Sequence, residues 1–127
     1  MKILGIDYGR AKIGLAVGET QTRLVEPLAV WPSSKFKVQS AKLAKELGVE
    51  KIVVGVPGGK MEEEIRRFGE RLRKQTGLAV EFFDETLTSQ EAQKLLLKLK
   101  RKRKFRHEKE DAFAAAIMLE FYLDRLH

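Results

Sequence analysis

Residues 51 to 56 (KIVVGV) form a continuous apolar run with an amphipathic segment of helical period on either side. A strand that does not alternate is covered on both faces, which in practice means a parallel strand between layers of helix. Upstream, from Ser34, the apolar positions Val38, Ala41, Leu43, Ala44 and Leu47 recur at helical spacing, and Gly48 stands as the C-cap. Downstream, Glu62 to Gln75 reads as a charged amphipathic helix with Ile65, Phe68 and Leu72 inward, followed by a strand over Ala79 to Asp84.

The segments before Ser34 have a different texture. Met1 to Asp7 and Lys12 to Val17 are extended runs joined across Tyr8, Gly9, Arg10 and Ala11, with Gly9 supplying a turn. A third run, Leu24 to Trp31, stops at Pro32, and its internal Pro27 lacks a ladder donor, which suits an edge strand or a bulge. Three strands in succession predict antiparallel pairing. After the last strand, Thr88 and Glu91 make a capping box for a helix that should bury Ala92, Leu95, Leu96 and Leu99. Asp111 begins DAFAAAIMLEFYL, an alanine-rich helix expected to pack tightly on the sheet. The order βββαβαβαα predicts an α/β fold: a five-stranded mixed sheet, three antiparallel strands then parallel crossovers, flanked by helices. With 127 residues and no repeat or linker, residues 1–127 are expected to form a single domain.

Zero cysteine excludes a disulfide framework and thiolate chemistry. No signal-peptide pattern and no membrane-spanning run is visible, so a cytoplasmic protein without a membrane partner is expected. The charge is more telling. Residues 98 to 109 (KLKRKRKFRHEK) hold eight basic side chains and one acid, and so carry the whole formal net charge of +7. The remaining 17 bases face 17 acids. A neutral domain with one cationic segment points to a polyanion, and Lys98, Lys100, Arg101, Lys102, Arg103, Lys104, Arg106 and Lys109 are the candidate nucleic-acid contacts. The plainer alternative is a solvated surface loop.

In open sheets with parallel strands, sites gather beyond the carboxyl ends of those strands. Asp7 ends the first strand, Asp84 and Glu85 end the last, and Asp111 opens the final helix, so three segments each deliver a carboxylate. Hard divalent cations take oxygen ligands, and a pair of Mg²⁺ or Mn²⁺ ions can activate a water in phosphoryl transfer. Each acid also has a structural reading: an Asx-turn before Gly9 for Asp7, a turn or cap for one of Asp84 and Glu85, and a helix-dipole partner for Asp111, a role Glu110 would fill equally well. Spacing does not choose between Asp84 and Glu85.

Other motifs carry less. Gly55-Val56-Pro57-Gly58-Gly59-Lys60 lacks the Walker spacing, with Met61 where Ser or Thr is required, although Tyr8, Gly9, Gly55, Pro57 and Gly58 remain candidate loop residues of a site. His107 in a cationic run reads as solvated, and with His127 at the far end no histidine metal constellation exists. Ser33, Ser34 and Ser89 lack triad partners. Trp31, Phe36 and Phe105 are candidates to stack on bases; core packing is the competing role for the first two.

Taken together, GIDYGRAKIGLAV (residues 5–17), VVGVP (53–57), DETLTSQEA (84–92) and DAFAAAIMLEFYL (111–123) resemble, in order and spacing, the YqgF (RuvX) family of bacterial RNase H-like proteins. The family is described as a Holliday junction resolvase, by analogy with RuvC, and as a nuclease processing the 5′ end of pre-16S rRNA. The resemblance implies an RNase H-like fold and a two-metal phosphodiesterase, with Asp7, Glu85 and Asp111 as both catalytic and metal-holding residues, which selects Glu85 over Asp84. It favours a ribosomal RNA precursor as substrate, with branched DNA as the alternative. Two departures stand out: Thr86 where the family commonly has Arg, and the acidic stretch Glu62 to Glu64 where it usually has a glycine. A non-catalytic nucleic-acid-binding module on the same fold is the second expectation. The G-I-D-x-G opening also occurs in actin-like ATPases, but those need a second domain to close over nucleotide. Four-way junction cleavage would need a dimer, no bare apolar face in the sequence demands one, and the oligomeric state stays open.

Overall fold

The computed structural model describes residues 1–87 and 109–126, together with positions 90, 94, 95 and 98. Three strands, β1 (Lys2–Asp7), β2 (Lys12–Glu19) and β3 (Val25–Pro32), come first. They are followed by α1 (Ser33–Leu47), β4 (Lys51–Val56), α2 (Glu62–Thr76) and β5 (Ala79–Asp84). A turn of 3₁₀ helix, Glu85–Leu87, leaves β5, and the final helix α3 spans Lys109–Leu126. The five strands form one sheet in the order β3-β2-β1-β4-β5. β1, β2 and β3 pair antiparallel, whereas β4 pairs parallel with β1 and with β5. The mixed sheet expected from the strand and helix order is therefore present.

Strand alternation splits the core into two layers. Leu4, Ile6, Ile13, Leu15, Ile52 and Val54 face α1 and α2, where they meet Phe36, Leu43, Ile65, Phe68 and Leu72. Ile3, Ala16, Val53 and Phe83 face α3, where they meet Ala115, Met118, Leu119 and Leu123. By the same two-residue period, Gly5 and Asp7 lie on the α3 face of β1, and Tyr8 returns to the α1–α2 side. β3 forms one edge of the sheet and β5 the other, and in β3 the register slips beside Pro27 so that Leu28 is the extra residue, the bulge its proline permits. Gly48 closes α1 in the left-handed conformation at φ 70°.

Several expectations are corrected. Val38 and Ala41 point to solvent, Val38 being 83% exposed, and the inward face of α1 is built on Phe36, Ser40, Leu43 and Ala44. Counting only apolar residues hid Ser40, which turns inward and bonds Gln75 of α2. Leu95, expected in the core, is exposed, as are positions 90, 94 and 98. The capping box at Thr88 and Glu91, and Ala92, Leu96 and Leu99, fall outside the described residues. α3 starts at Lys109, two residues before the expected start at Asp111, which places Asp111 inside the first turn. An apolar groove also exists where none was expected: Leu28 and Trp31 of edge strand β3 line it together with exposed Phe113 of α3. Phe113 interrupts an otherwise buried alanine run, and a helix that is apolar almost all round gives no sequence period from which to tell its outer face.

Candidate functional site

Burying a carboxylate is costly unless its surroundings compensate it. Among the described residues the buried acids are Asp7, Glu85 and Asp111, at 4%, 5% and 4% exposure, with Ser33 and Ser40 the other buried polar residues. All three acids stand at one end of the sheet, where β1 and β5 finish. Asp7 is the last residue of β1 and pairs across the ladder with Gly14 of β2. A Cβ placed on Gly14 would fall 2.1 Å from the Asp111 carbonyl oxygen and 3.1 Å from Asp111 Cβ, so the missing side chain is what lets α3 begin directly on β2. On the other flank β1 and β4 are in parallel register, with Ile6 opposite Val54, which sets Asp7 level with Gly55. A Cβ on Gly55 would lie 2.9 Å from Glu85 Oε1 and 3.0 Å from Met118 Cγ. Two glycines on neighbouring strands thus make the cradle in which Glu85 and Asp111 flank Asp7, with adjacent strands about 5 Å apart.

The two acids at the end of β5 take different places. Asp84 Oδ1 accepts hydrogen bonds from Thr86 N at 2.9 Å and Thr86 Oγ1 at 2.5 Å, a local turn. Those bonds, the side-chain one foremost, hold the Asp84 carboxyl below its ordinary range. Glu85 instead turns in beneath Gly55. Thr86, one of the two family departures, serves the turn and also packs under the β4–α2 loop, where a Cβ on Gly58 (φ 86°) would come 3.0 Å from its methyl carbon.

The loop after β1 is held from two sides. Ser33 Oγ donates to the Gly9 carbonyl at 2.8 Å, so this serine pins the site loop rather than attacking anything. Tyr8 packs its ring 4.7 Å from Phe68 and donates its hydroxyl to Glu64 Oε2 at 2.7 Å. Arg10 donates to both oxygens of Glu64, with Nη2 2.9 Å from Oε1. Burial, then the bond to Glu64, raises the Tyr8 hydroxyl pKa, and the bonds from Arg10 and Tyr8 lower that of Glu64. The acidic stretch of the second family departure therefore anchors the loop next to Asp7. Sequence reasoning missed this contact and the part played by Gly14. The alternation of Gly14, Ala16 and Gly18 along β2 signalled the close helix approach, but nothing local linked Glu64 to Arg10.

Of the cationic candidates, Lys98 is helical and exposed and Lys109 opens α3. Lys100, Arg101, Lys102, Arg103, Lys104 and Arg106 lie outside the described residues, as do Phe105, His107, Ser89 and His127. Phe36 belongs to the core, and Trp31 is half-buried with Lys35 Nζ 4.1 Å above its ring. Pro57 is exposed at the start of the β4–α2 loop.

The carboxylates are hard oxygen donors of the kind Mg²⁺ and Mn²⁺ prefer, and the glycine cradle brings them to one end of the sheet, so the residue set fits such ions. Among the described residues, however, no group of three or more acidic or imidazole side chains is gathered as it would be around one ion.

A family model described as "RuvX: Holliday junction resolvase" matches residues 1–125. A protein of Chloroflexus aggregans named "Putative pre-16S rRNA nuclease" is 37% identical over 131 residues, covering 96% of this chain and 92% of that protein. One of Bordetella petrii with the same name is 38% identical, covering 98% and 95%. Among solved structures, T. thermophilus RuvC in complex with a Holliday junction substrate superposes with a TM-score of 0.62 at 15% identity, covering 99% of this chain and 96% of that one. The fowlpox virus Holliday junction resolvase gives 0.61 at 12%, with both chains covered in full. At such identity the likeness establishes the fold, which is RNase H-like.

Proposed function

Because the chain belongs to the RuvX (YqgF) family of nucleases and resolvases, we propose that it is a metal-dependent phosphodiesterase acting on a nucleic-acid backbone, the 5′ end of pre-16S rRNA being the favoured substrate. The observation that carries this reading is the burial of Asp7, Glu85 and Asp111, from three separate segments, at one end of the sheet. These three residues would hold the Mg²⁺ or Mn²⁺ ions. Bound there, such ions supply neutralisation of the scissile phosphate and activation of the attacking water. The chain's own part is to set the carboxylates: β1 delivers Asp7, the turn locked by Asp84 and Thr86 delivers Glu85, and Gly14 admits the start of α3 with Asp111. The loop residues Tyr8, Gly9, Gly55, Pro57 and Gly58 would border the bound strand. The cationic segment from Lys98 to Lys109 runs directly into α3 and would bring a polyanion to acids that would otherwise repel it. The reaction belongs to a single domain in the cytoplasm, and no helix among the described residues is long and apolar enough to cross a membrane.

The test offers labelled single-stranded RNA, duplex RNA and a DNA four-way junction to the wild type and to Asp7→Asn, with Mg²⁺ or Mn²⁺. Cleavage by the wild type, lost on chelation and lost in Asp7→Asn while binding persists, is the expected result. Metal-dependent cleavage by Asp7→Asn at the wild-type rate would sink the assignment. A second reading is a non-catalytic binding module on the same fold. Stoichiometric binding without cleavage under either metal would select it.

A further inference from the structure

The segment 98–109 precedes α3 in the sequence, and on the α1–α2 side of β1 the structure places three further cations, Arg10, Lys37 and Arg71. Glu64 sits where the loop after β1 meets the first turn of α2, and it accepts hydrogen bonds from Tyr8 and Arg10. Arg71, two turns along α2, lines the same open cleft as Glu64. Lys37 of α1 shares with Arg71 the adjoining hollow over Phe36 and Phe68. Arg10 is bonded to Glu64, the charge of Lys37 also acts on Glu64, and those of Arg71 and Arg10 act on Tyr8, so the three cations lie around the Tyr8–Glu64 pair, within a short loop of Asp7.

Pairing sets Arg71 apart from the other arginines of α2. Arg66, Arg67 and Arg73 each bond a glutamate of their own helix, Glu62, Glu63 and Glu70. Lys37 and Arg71 join no ion pair among the described residues, and Arg10, bonded to Glu64, keeps its side chain 75% exposed. A guanidinium has five N–H donors in a fixed fork, and the bonds to Glu64 use only the Nε and Nη2 side. The other edge of Arg10 is open to a second anion. Tyr8, whose ring belongs to the α1–α2 layer, places this cluster across the sheet from α3.

We propose that Arg10, Lys37 and Arg71 form a phosphate-binding subsite for the nucleic-acid backbone on the α2 side of Asp7, with Glu64 as the positioning residue that orients Arg10. The subsite deepens the nuclease reading and rests on it: a strand held here would lie beside the end of β1 that carries Asp7. Contacts of this kind grip phosphates without reading bases, so RNA and DNA would both be bound.

The experiment measures Kd against salt for a short labelled single-stranded RNA and for a DNA four-way junction, in EDTA so that neither is cleaved. Arg10→Gln, Lys37→Gln and Arg71→Gln should each reduce the salt slope by about 0.7 on the single strand and about 0.9 on duplex arms. Lys42→Gln, a comparable exposed lysine further along α1, should leave the slope unchanged. Glu64→Gln keeps an acceptor for Arg10 and Tyr8 while removing the competing charge, and should tighten binding by about threefold at low salt. Melting curves establish that each variant is folded, and substitution of an exposed side chain by glutamine retains its stem. Wild-type slopes in all three cationic variants, with the wild type still binding, overturn the subsite and leave the nuclease reading intact. A wild type that binds neither probe overturns both.

Discussion

Substituting Gly14 by alanine tests the seat of α3 directly. The new Cβ would lie 2.1 Å from the Asp111 carbonyl oxygen and 2.5 Å from its carbon, whereas ordinary contact begins at 3.4 Å, so α3 must retreat by about 1.3 Å. Both clashing atoms belong to the backbone, and no rotamer relieves them. Overpacking of this kind costs roughly 1–3 kcal/mol. For a chain of this size that is a fall of roughly 4–12 °C in Tm. The displacement falls on Asp111 itself, and an error of about 1 Å in a reacting constellation lowers rate by about a hundredfold. Gly18→Ala, on the same face of the same strand, is the internal comparison, because its Cβ would meet Leu119 Cδ1 at 3.4 Å and Ile3 and Val25 at 3.5 Å, ordinary packing distances. It should alter stability by less than about 1 kcal/mol and leave cleavage intact. Thermal melts and single-turnover cleavage on the two variants make the assay. Equal melting temperatures and equal rates for Gly14→Ala and Gly18→Ala would refute the claim that a bare strand position seats the start of α3.

At the far end of the sheet Tyr122 receives a hydrogen bond from Lys51 at 2.7 Å and donates one to Glu81, and Lys51 and Glu81 are themselves paired. Tyr122→Phe should cost about 1 kcal/mol in urea melts without changing cleavage, since it removes one partly buried hydroxyl from the cluster. Glu64 is held below the usual glutamate pKa by Arg10 first and Tyr8 second. A depressed carboxylate stabilises above its unfolded pKa and loses that contribution as pH falls through the lowered folded value. NMR titration should therefore show the Glu64 carboxyl protonating at a higher pH in Arg10→Gln than in the wild type; an identical midpoint would contradict the pairing. Neutralising Arg101, Lys102, Arg103 and Lys104 together should flatten the salt dependence of single-strand binding by roughly 0.7 per lost contact, and an unchanged slope would make the segment a solvated surface.

Much of the fold was legible because local chemistry and global architecture agree. KIVVGV could only be a covered strand, Pro27 only an edge or bulge, and Gly48 ended α1 as its backbone freedom allows. Legibility failed where one residue type has two uses. Val38 continues an apolar period yet faces water, and Ser40 interrupts it yet faces inward, because a hydroxyl that finds a partner on α2 is acceptable in a core. Phe113 and Leu95 are apolar and exposed, and no count of apolar spacing separates them from buried neighbours.

The site divides along the same line. That acids stand at the end of β1, at the end of β5 and at the start of the last helix is a property of the sequence, since each follows from where an apolar run stops or begins. Which acid of Asp84 and Glu85 turns inward depended on the hydrogen bonds Thr86 makes and on a glycine 30 residues upstream, at position 55. Likewise the meeting of Glu64 with Tyr8 and Arg10 spans more than 50 residues and exists only once α2 has packed on the sheet beside the end of β1. Element type follows from near neighbours along the chain, because propensity and burial period act over a few residues. Electrostatic partnership acts through space, so only the packed sheet could decide which charges meet.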